Sequence, residues 1–295
     1  MPHPFVLHNE TLCRAHDAVL SPGQLGLFTG WGVFSTLKVA DGVPFAFERH
    51  WARMARDAAV LHVEMPEYAD RLLERLRALV EANAAYDATM RLVVVRNGGG
   101  MWAASDPQRS SDVIALTADT KNWGTGERLT WSPQARHAQS RFAGTKSLSS
   151  AANLVLLEEA RRDGFDGAIL LNERGEVAEC TSANLFVAEG GRVWTPPLAS
   201  GCLPGVTREL LLEVLRVPGI TVAEKTIYPA DLEAAEEVFV SSTTRGLLPV
   251  TAIGDRAMPA GGAARVPLQK ALTAYESEYV ARRRVASTEH KSGIR

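Results

Sequence analysis

The chain has little cysteine and no long run of apolar residues. Its three cysteines, Cys13, Cys180 and Cys202, lack the paired spacing of a zinc site, so neither a disulfide framework nor a structural metal is indicated. No apolar stretch reaches the length of a membrane span, and the first residues lack the basic and apolar parts of a secretory signal. We therefore expect a cytoplasmic protein that holds no metal and does not cross a membrane.

An excess of charge of one sign is also missing. The 32 Lys and Arg residues nearly balance the 34 Asp and Glu residues, which leaves a formal net charge of −2. Such a chain has no field strong enough to attract nucleic acid or an anionic membrane, so the expected partner is a small molecule. Hydrophobic residues make up 46% of the sequence, which is enough to build a large buried core.

Local periodicity divides the sequence into two parts. Residues 28–47 predict a β-hairpin that turns at Asp41-Gly42, residues 48–63 and 68–84 predict amphipathic helices, and the β-branched runs at 92–95 and 113–116 predict strands. The polar stretch 117–126 suits a connection between domains. We predict an α+β fold with a smaller N-terminal α/β domain (1–120), a larger β-rich domain with helices (121–285) and a frayed tail (286–295).

The first candidate for chemistry is Lys146, which lies in a polar segment between a predicted strand and a predicted helix. A lone lysine in such a segment is more often a solvated charge than a nucleophile. The local order Gly-Thr-Lys-Ser resembles a phosphate loop but lacks two of its glycines. Glu179, beside a Thr/Ser-rich bend, and the helix start at 203–208 are each common features when taken alone. Their order along the chain is more informative.

Six short pieces, taken in order, resemble the fold-type IV pyridoxal-phosphate family. This family contains branched-chain aminotransferases, D-amino-acid aminotransferases and 4-amino-4-deoxychorismate lyases. The pieces are Gly-Trp-Gly-Val-Phe (30–34), His-Trp-Ala-Arg-Met (50–54), Gly-Thr-Lys (144–146), Glu-Cys-Thr-Ser-Ala-Asn-Leu-Phe (179–186), Leu-Pro-Gly-Val-Thr-Arg (203–208) and Ser-Ser-Thr-Thr (241–244). The resemblance covers nearly the whole chain and implies a two-domain fold-type IV enzyme with pyridoxal 5′-phosphate (PLP), expected as a homodimer.

The same resemblance implies roles for individual residues. Lys146 is implied to hold PLP as a Schiff base, and Glu179 to pair with the pyridine nitrogen. The remaining implied cofactor contacts are Arg53, Val206, Thr207 and Thr243 around the phosphate, with Asn184 supporting the site. These residue types suit the chemistry, because a neutral amine can form a Schiff base, a carboxylate favours a protonated ring, and a guanidinium matches a phosphate.

Two departures from the family pattern affect this region. Many relatives carry a tyrosine shortly after the Schiff-base lysine, whereas residues 147–153 contain none. Branched-chain relatives also tend to have glutamate after the phenylalanine of the first hairpin, where this chain has Ser35 after Phe34. The substrate is therefore less directly implied than the cofactor.

Within the family, we predict an aminotransferase that moves an amino group between an amino acid, of branched-chain type first, and a 2-oxo acid. Side chains that suit an apolar pocket, or equally an ordinary core, are Trp31, Phe34, Met101 and Trp102, and the glycine run at 98–100 suits a lid. The other candidate substrate contacts are Arg96, Thr244 and Arg245. We expect Arg245 to bind a carboxylate, because a guanidinium presents a rigid fork of donors.

Three alternatives remain open. The sequence at residues 179–186 is also similar to that of aminodeoxychorismate lyases. A D-amino-acid or amine transaminase is the second alternative, because the resemblance implies the same cofactor residues for it. A non-catalytic module that binds PLP is an alternative of a different class, against which the retention of Lys146, Glu179 and Arg53 argues.

Overall fold

The structure is a computed structural model that describes residues 1–18, 24–99, 109–259 and 261–292. Contacts within the chain divide it into two units. Unit 1 comprises Met1–Lys121, Lys146–Ser149 and Glu276–Arg295, and unit 2 comprises Asn122–Thr145 and Ser150–Tyr275. Met101 and Trp102, two of the predicted pocket residues, and the last glycine of the predicted lid lie outside the described residues.

Unit 1 is built on a six-stranded antiparallel sheet. Its strands are β1 (Pro2–His8), β2 (Thr11–Arg14), β3 (Gly32–Ala40), β4 (Val43–Pro44), β5 (Ala88–Arg96) and β6 (Ser111–Asp119). They pair in the order β2-β1-β6-β5-β3-β4. The predicted strands at 92–95 and 113–116 are thus neighbours, and the first strand of the chain completes the sheet beside β6.

The helices of unit 1 are α1 (Leu25–Thr29), α2 (Phe47–Val60) and α3 (Ala69–Ala82). The two predicted amphipathic helices correspond to α2 and α3, whose apolar faces join the sheet in one core. Met54, Leu72 and Leu76 are fully buried in this core, as the 3.6-residue period requires. The packing of α2 on β3 decides which of its polar residues become buried.

The predicted hairpin is shorter than residues 28–47. Phe28 belongs to α1, which ends at Gly30 in a left-handed conformation, so the strand begins only at Gly32. Pro44 lacks an N–H and ends the return strand after two residues. The turn at Asp41-Gly42 lies where the sequence predicts it.

Unit 2 contains a nine-stranded mixed sheet. Its strands are β7 (Glu127–Arg136), β8 (Gly167–Asn172), β9 (Val177–Cys180), β10 (Asn184–Glu189), β11 (Arg192–Thr195), β12 (Thr221–Glu224), β13 (Glu237–Ser242), β14 (Gly246–Ile253) and β15 (Arg256–Ala257). The order is β12-β11-β10-β13-β14-β7-β8-β9, with β15 beside β14. Three of the pairings, β11 with β12, β14 with β7 and β7 with β8, are parallel.

The helices of unit 2 include one at the helix start noted in the sequence at residues 203–208. They are α4 (Ala151–Arg162), α5 (Val206–Glu209), which continues as a π-helical stretch (Leu210–Val214), α6 (Pro229–Ala234) and the first half of α7 (Arg265–Ser292), with a short 3-10 turn at Leu198–Ser200. Among the described residues, no helix is long and apolar enough to cross a membrane.

The C-terminal helix α7 bears on two expectations from the sequence, the frayed tail and the end of the second domain. The predicted frayed tail is helical as far as Ser292, because residues 286–292 contain neither glycine nor proline. The segment Glu276–Arg295 belongs to unit 1 and not to the second domain. The reason lies in contacts with residues far away in the sequence: Glu276 Oε1 lies 2.6 Å from Lys38 Nζ, and Tyr279 donates a hydrogen bond to Glu48.

Candidate active site

The main chain of Lys146 is held within unit 1 by β3 and α2. Phe34 N–H donates to the Lys146 carbonyl oxygen at 3.2 Å, and Lys146 N–H donates to Asp57 Oδ2, also at 3.2 Å. Ser147 forms a β-bridge with Val33, so residues 146–149 run as a short extended segment along β3. The Lys146 amine lies 4.7 Å from the centroid of the Phe34 ring. The predicted lysine is therefore anchored to an ordered framework.

Arg53 lies one helical turn before Asp57 on the same face of α2. Its side chain is buried, its Nη2 donates to Ser35 Oγ at 2.7 Å, and its Nε has no hydrogen-bond partner among the described residues. Burial, partly opposed by the charge of Asp57, lowers the pKa of Arg53 to about 10. A buried guanidinium with an unused donor is suited to an anion that arrives from outside the chain.

The Phe34 ring contacts a second cation, the Arg91 guanidinium, which was not among the site residues predicted from the sequence. The guanidinium carbon of Arg91 lies 3.8 Å from the centroid of the Phe34 ring, within the range of a cation–π contact. Burial lowers the pKa of Arg91, and no carboxylate within the described part of the chain pairs with it. Arg91 is therefore a second candidate to bind an anion in unit 1. The only sequence signal was a lone arginine inside an apolar strand, at residue 91 of β5.

The predicted substrate residue Arg96 is engaged by its own unit. It lies 4.3 Å from the centroid of the Trp31 ring and donates to the carbonyl oxygens of His62 and Gly98. Its substrate role stays a prediction. The contacts show that Arg96 connects the end of β5 to the loop that follows α2.

Glu179 is held from two sides within unit 2. Its Oε1 accepts hydrogen bonds from Arg136, 3.2 Å from Nε and 3.0 Å from Nη2, and its Oε2 accepts from Leu203 N–H at 3.1 Å. Arg136 also donates to Asn153 Oδ1 at 2.8 Å. Sequence reasoning missed Arg136, because nothing in its neighbourhood along the chain separates it from a surface arginine. The two Arg136 donors on Oε1 and the Leu203 N–H on Oε2 together fix the orientation of the Glu179 carboxylate.

Asn184 holds the same loop as Glu179. Its Nδ2 donates to the Leu203 carbonyl oxygen at 2.7 Å, so Leu203 is bound at both its N–H and its C=O group. Gly205 approaches so closely that a Cβ atom there would lie 2.0 Å from Asn184 Oδ1. This close approach, and not the backbone conformation, therefore requires a glycine at position 205, since its φ of −70° is open to any residue.

The predicted phosphate contacts of unit 2 lie near one another. Val206 and Thr207 are buried in the first turn of α5, where backbone N–H groups have no partner inside the helix. α5 packs against β13, and Thr243 and Thr244 occupy the turn that follows β13. Backbone donors and threonine hydroxyls are thus gathered at one end of the unit 2 sheet.

Arg245, the predicted carboxylate receptor, lies in a buried cluster of unit 2. Its Nε is 3.3 Å from Glu127 Oε1, its guanidinium carbon is 3.9 Å from the centroid of the Trp123 ring, and its Nη2 donates to Ser182 at 3.0 Å. Binding of a substrate carboxylate by Arg245 stays a prediction. Its charge is nevertheless already balanced by Glu127, whereas no described carboxylate balances Arg91.

Comparison with known proteins bears on this arrangement. The family model for amino-transferase class IV matches residues 32–253, a range that contains every predicted site residue from Phe34 to Arg245. The chain belongs to the class IV aminotransferases. The family resemblance proposed from the six sequence pieces is thereby confirmed, and the protein is an enzyme of this family.

Individual class IV aminotransferases match over most of their length. A branched-chain-amino-acid aminotransferase of Salmonella typhimurium is 27% identical over 261 residues, which cover 84% of each chain. A D-alanine aminotransferase of Bacillus licheniformis is 26% identical over 283 residues, which cover 90% of this chain and 93% of that one.

The fold agrees with a solved class IV aminotransferase. The crystal structure of the branched-chain amino acid aminotransferase of Escherichia coli superposes with a TM-score of 0.83 at 25% identity, over 92% of this chain and 93% of that one. The predicted mixed fold of the fold-type IV enzymes is confirmed by this match.

Proposed function

We propose that this enzyme binds PLP and transfers an amino group between an amino acid, of branched-chain type first, and a 2-oxo acid. The observation that carries the proposal is the face of α2. Asp57 binds the main chain of Lys146, and one turn away Arg53 is buried with an unused donor. A lysine whose main chain is bound by α2 and a guanidinium on the same helix supply the two groups, an amine and a phosphate donor, that an aldehyde with a phosphate requires.

The residues of unit 2 fit the same cofactor. In this proposal the Glu179 carboxylate, oriented by Arg136, accepts a hydrogen bond from the pyridine N–H group of PLP. The N–H groups of Val206 and Thr207 and the hydroxyl of Thr243 bind its phosphate. Asn184 and Gly205 act indirectly, because they hold the loop that leads into α5.

The catalytic residue in this proposal is Lys146. When bound, PLP supplies an electron sink that makes the α-proton of an amino acid removable. Lys146 Nζ would anchor the cofactor, take this proton as a general base once an amino acid has displaced it, and deliver the proton to the former aldehyde carbon of the cofactor and not back to the amino acid. Its main-chain bonds to Phe34 and Asp57 keep the amine in place during this exchange.

The substrate assignment rests on the relatives and on unit 1. Relatives named for branched-chain amino acids and for D-alanine both match, which supports small aliphatic donors and leaves their stereochemistry to experiment. The uncompensated guanidinium of Arg91, against the Phe34 ring, is suited to a carboxylate of the substrate.

A donor screen tests this function directly. Purified enzyme with PLP is assayed with L-leucine, L-valine, L-isoleucine and D-alanine against 2-oxoglutarate and pyruvate, and for pyruvate release from aminodeoxychorismate. We expect transfer from the L-branched-chain donors and none in Lys146→Ala. Transfer only from D-alanine, or only pyruvate release, would contradict the proposed substrate.

The role of Arg91 is tested in the same assay. Loss of a charge-assisted contact costs about 1.5–3 kcal/mol, so Arg91→Met should raise the KM of the carboxylate it binds about ten-fold or more. Arg75→Met, at an exposed position of α3, is the matched control and should leave KM unchanged. Comparison of 2-oxoglutarate with pyruvate identifies which carboxylate Arg91 binds.

We further propose that the enzyme forms a homodimer. α4 exposes Leu154 and Val155, with 61% and 51% of their surfaces accessible, although a surface helix normally presents polar residues to water. Light scattering should give twice the chain mass, and Val155→Asp should lower it, whereas Glu159→Gln on the same helix should not. Location in the cytoplasm stays a prediction that cell fractionation would test.

A further inference from the structure

Three buried polar side chains form a chain of hydrogen bonds behind the predicted phosphate-binding arginine. Ser35 on β3 is fully buried, and His50 on α2 is 1% exposed. Arg53 Nη2 lies 2.7 Å from Ser35 Oγ, and Ser35 Oγ lies 2.7 Å from His50 Nδ1. All three belong to unit 1.

The direction of these bonds follows from the chemistry of the groups. A guanidinium can only donate, so Ser35 Oγ accepts from Arg53. The hydroxyl proton of Ser35 is then available for His50 Nδ1, which accepts it if the imidazole is neutral with its own proton on Nε2. Burial, with the charges of Arg53 and Lys146, lowers the pKa of His50 well below 6.5 and so favours a neutral imidazole, in which one ring nitrogen is an acceptor.

The side chain at position 35 is neutral. A serine hydroxyl orients the guanidinium of Arg53 and leaves its charge available, whereas a carboxylate in its place would pair with the guanidinium and neutralise it. Arg53 Nε retains no partner within the described residues, and Ser35 occupies only one of its terminal nitrogens. The chain therefore limits the rotation of Arg53 without consuming its remaining donors.

We propose that Ser35 and His50 are positioning residues that hold the Arg53 guanidinium ready for the phosphate of PLP. The proposal rests on the proposed function and extends it to two residues that touch Arg53 and not the reacting atoms. Its consequence is specific: Ser35 and His50 contribute to the binding of the phosphate and not to the binding of the pyridoxal ring.

The test compares PLP with pyridoxal, which has the same ring and aldehyde but no phosphate. The full chain is stripped of cofactor, and the dissociation constants of both compounds are measured by fluorescence titration. Ser35→Ala should weaken PLP about ten-fold and leave pyridoxal unchanged, which lowers the preference for PLP by the same factor. Thr117→Val removes a different fully buried hydroxyl of unit 1, one that accepts from Asn83, and should change neither constant.

A double-mutant cycle shows whether Ser35 acts through Arg53. Arg53→Leu alone should lower the preference for PLP by more than Ser35→Ala does, and Ser35→Ala should then have an effect of less than about two-fold in the Arg53→Leu background. If Ser35→Ala still weakens PLP ten-fold there, the serine contacts the phosphate itself and the positioning role is wrong. Equal weakening of PLP and pyridoxal by Ser35→Ala would also overturn it.

Variants of His50 keep the test decisive if Ser35→Ala does not fold. His50→Asn places an amide near the former Nδ1 and should retain most of the preference for PLP, whereas His50→Leu should lose it. If the two variants behave alike, His50 has no positioning role. Failure of the proposed function gives a different result: the wild-type chain would then bind PLP no better than pyridoxal, or Arg53→Leu would leave the preference unchanged.

Discussion

Gly205→Ala tests whether the loop that leads into α5 depends on one close approach. The backbone at 205 has ordinary angles, so alanine brings no backbone strain. The new Cβ atom would lie 2.0 Å from Asn184 Oδ1, a distance that no real contact allows, so the Asn184 side chain or the loop must move. Either movement threatens the 2.7 Å bond from Asn184 to the Leu203 carbonyl oxygen.

The magnitude follows from two contributions. Loss of the Asn184 bond leaves a carbonyl group without its partner, at about 1–3 kcal/mol, and overpacking adds about 1–3 kcal/mol. We expect the free energy of unfolding of Gly205→Ala to fall by about 3 kcal/mol. In a domain of roughly this size the Tm should fall by about 6–12 °C.

The assay is thermal unfolding followed by PLP titration, with a second substitution as the decisive control. Asn184→Ala removes the atom that the new Cβ would strike, so Gly205→Ala should cost much less stability in the Asn184→Ala background than in the wild type. Gly262→Ala, whose Cβ would lie 3.3 Å from the Val266 side chain, is the matched control and should change the Tm little. The reasoning is refuted if Gly205→Ala costs the same in both backgrounds.

Three further predictions concern buried polar groups. Arg136→Leu removes both donors to Glu179 Oε1 and should weaken PLP binding about ten-fold or more; an unchanged dissociation constant would show that Glu179 is positioned without Arg136. As the pH falls below 6.5, His50 is protonated in the unfolded chain before it is protonated in the folded chain. The free energy of unfolding of the wild type should therefore fall more steeply with pH than that of His50→Asn, by up to about 1.4 kcal/mol per pH unit. Urea unfolding at a series of pH values measures both, and an equal pH dependence of the two free energies would count against this prediction. Arg245→Leu removes the guanidinium beside the buried carboxylate of Glu127 and should lower the free energy of unfolding by about 3–5 kcal/mol; unchanged stability would contradict this, and a raised KM for a carboxylate substrate would support the substrate role expected from the sequence.

The sequence by itself determined the parts of this protein that depend on near neighbours in the chain. The apolar period of α2 and α3, the β-branched runs of β5 and β6 and the turn at Asp41-Gly42 are local signals, and the structure has each of them where they predict. The order of six short motifs was likewise sufficient for the family, which the match of the family model to residues 32–253 confirms.

Only the tertiary structure decided which distant residues meet. Arg136 and Glu179 are 43 positions apart, and no local pattern pairs them. The position of β1 beside β6, and the assignment of the second half of α7 to unit 1, depend on contacts between residues far apart in the sequence.

The same holds for the charge state of the site. Arg91, Arg96 and Arg245 look alike in the sequence, yet one lies on Phe34 without a described carboxylate, one binds backbone carbonyl groups, and one pairs with Glu127. Periodicity reports which face of an element is buried. Packing in three dimensions decides which charge that burial leaves uncompensated, because an arginine's partners come from elements that the chain folds against it.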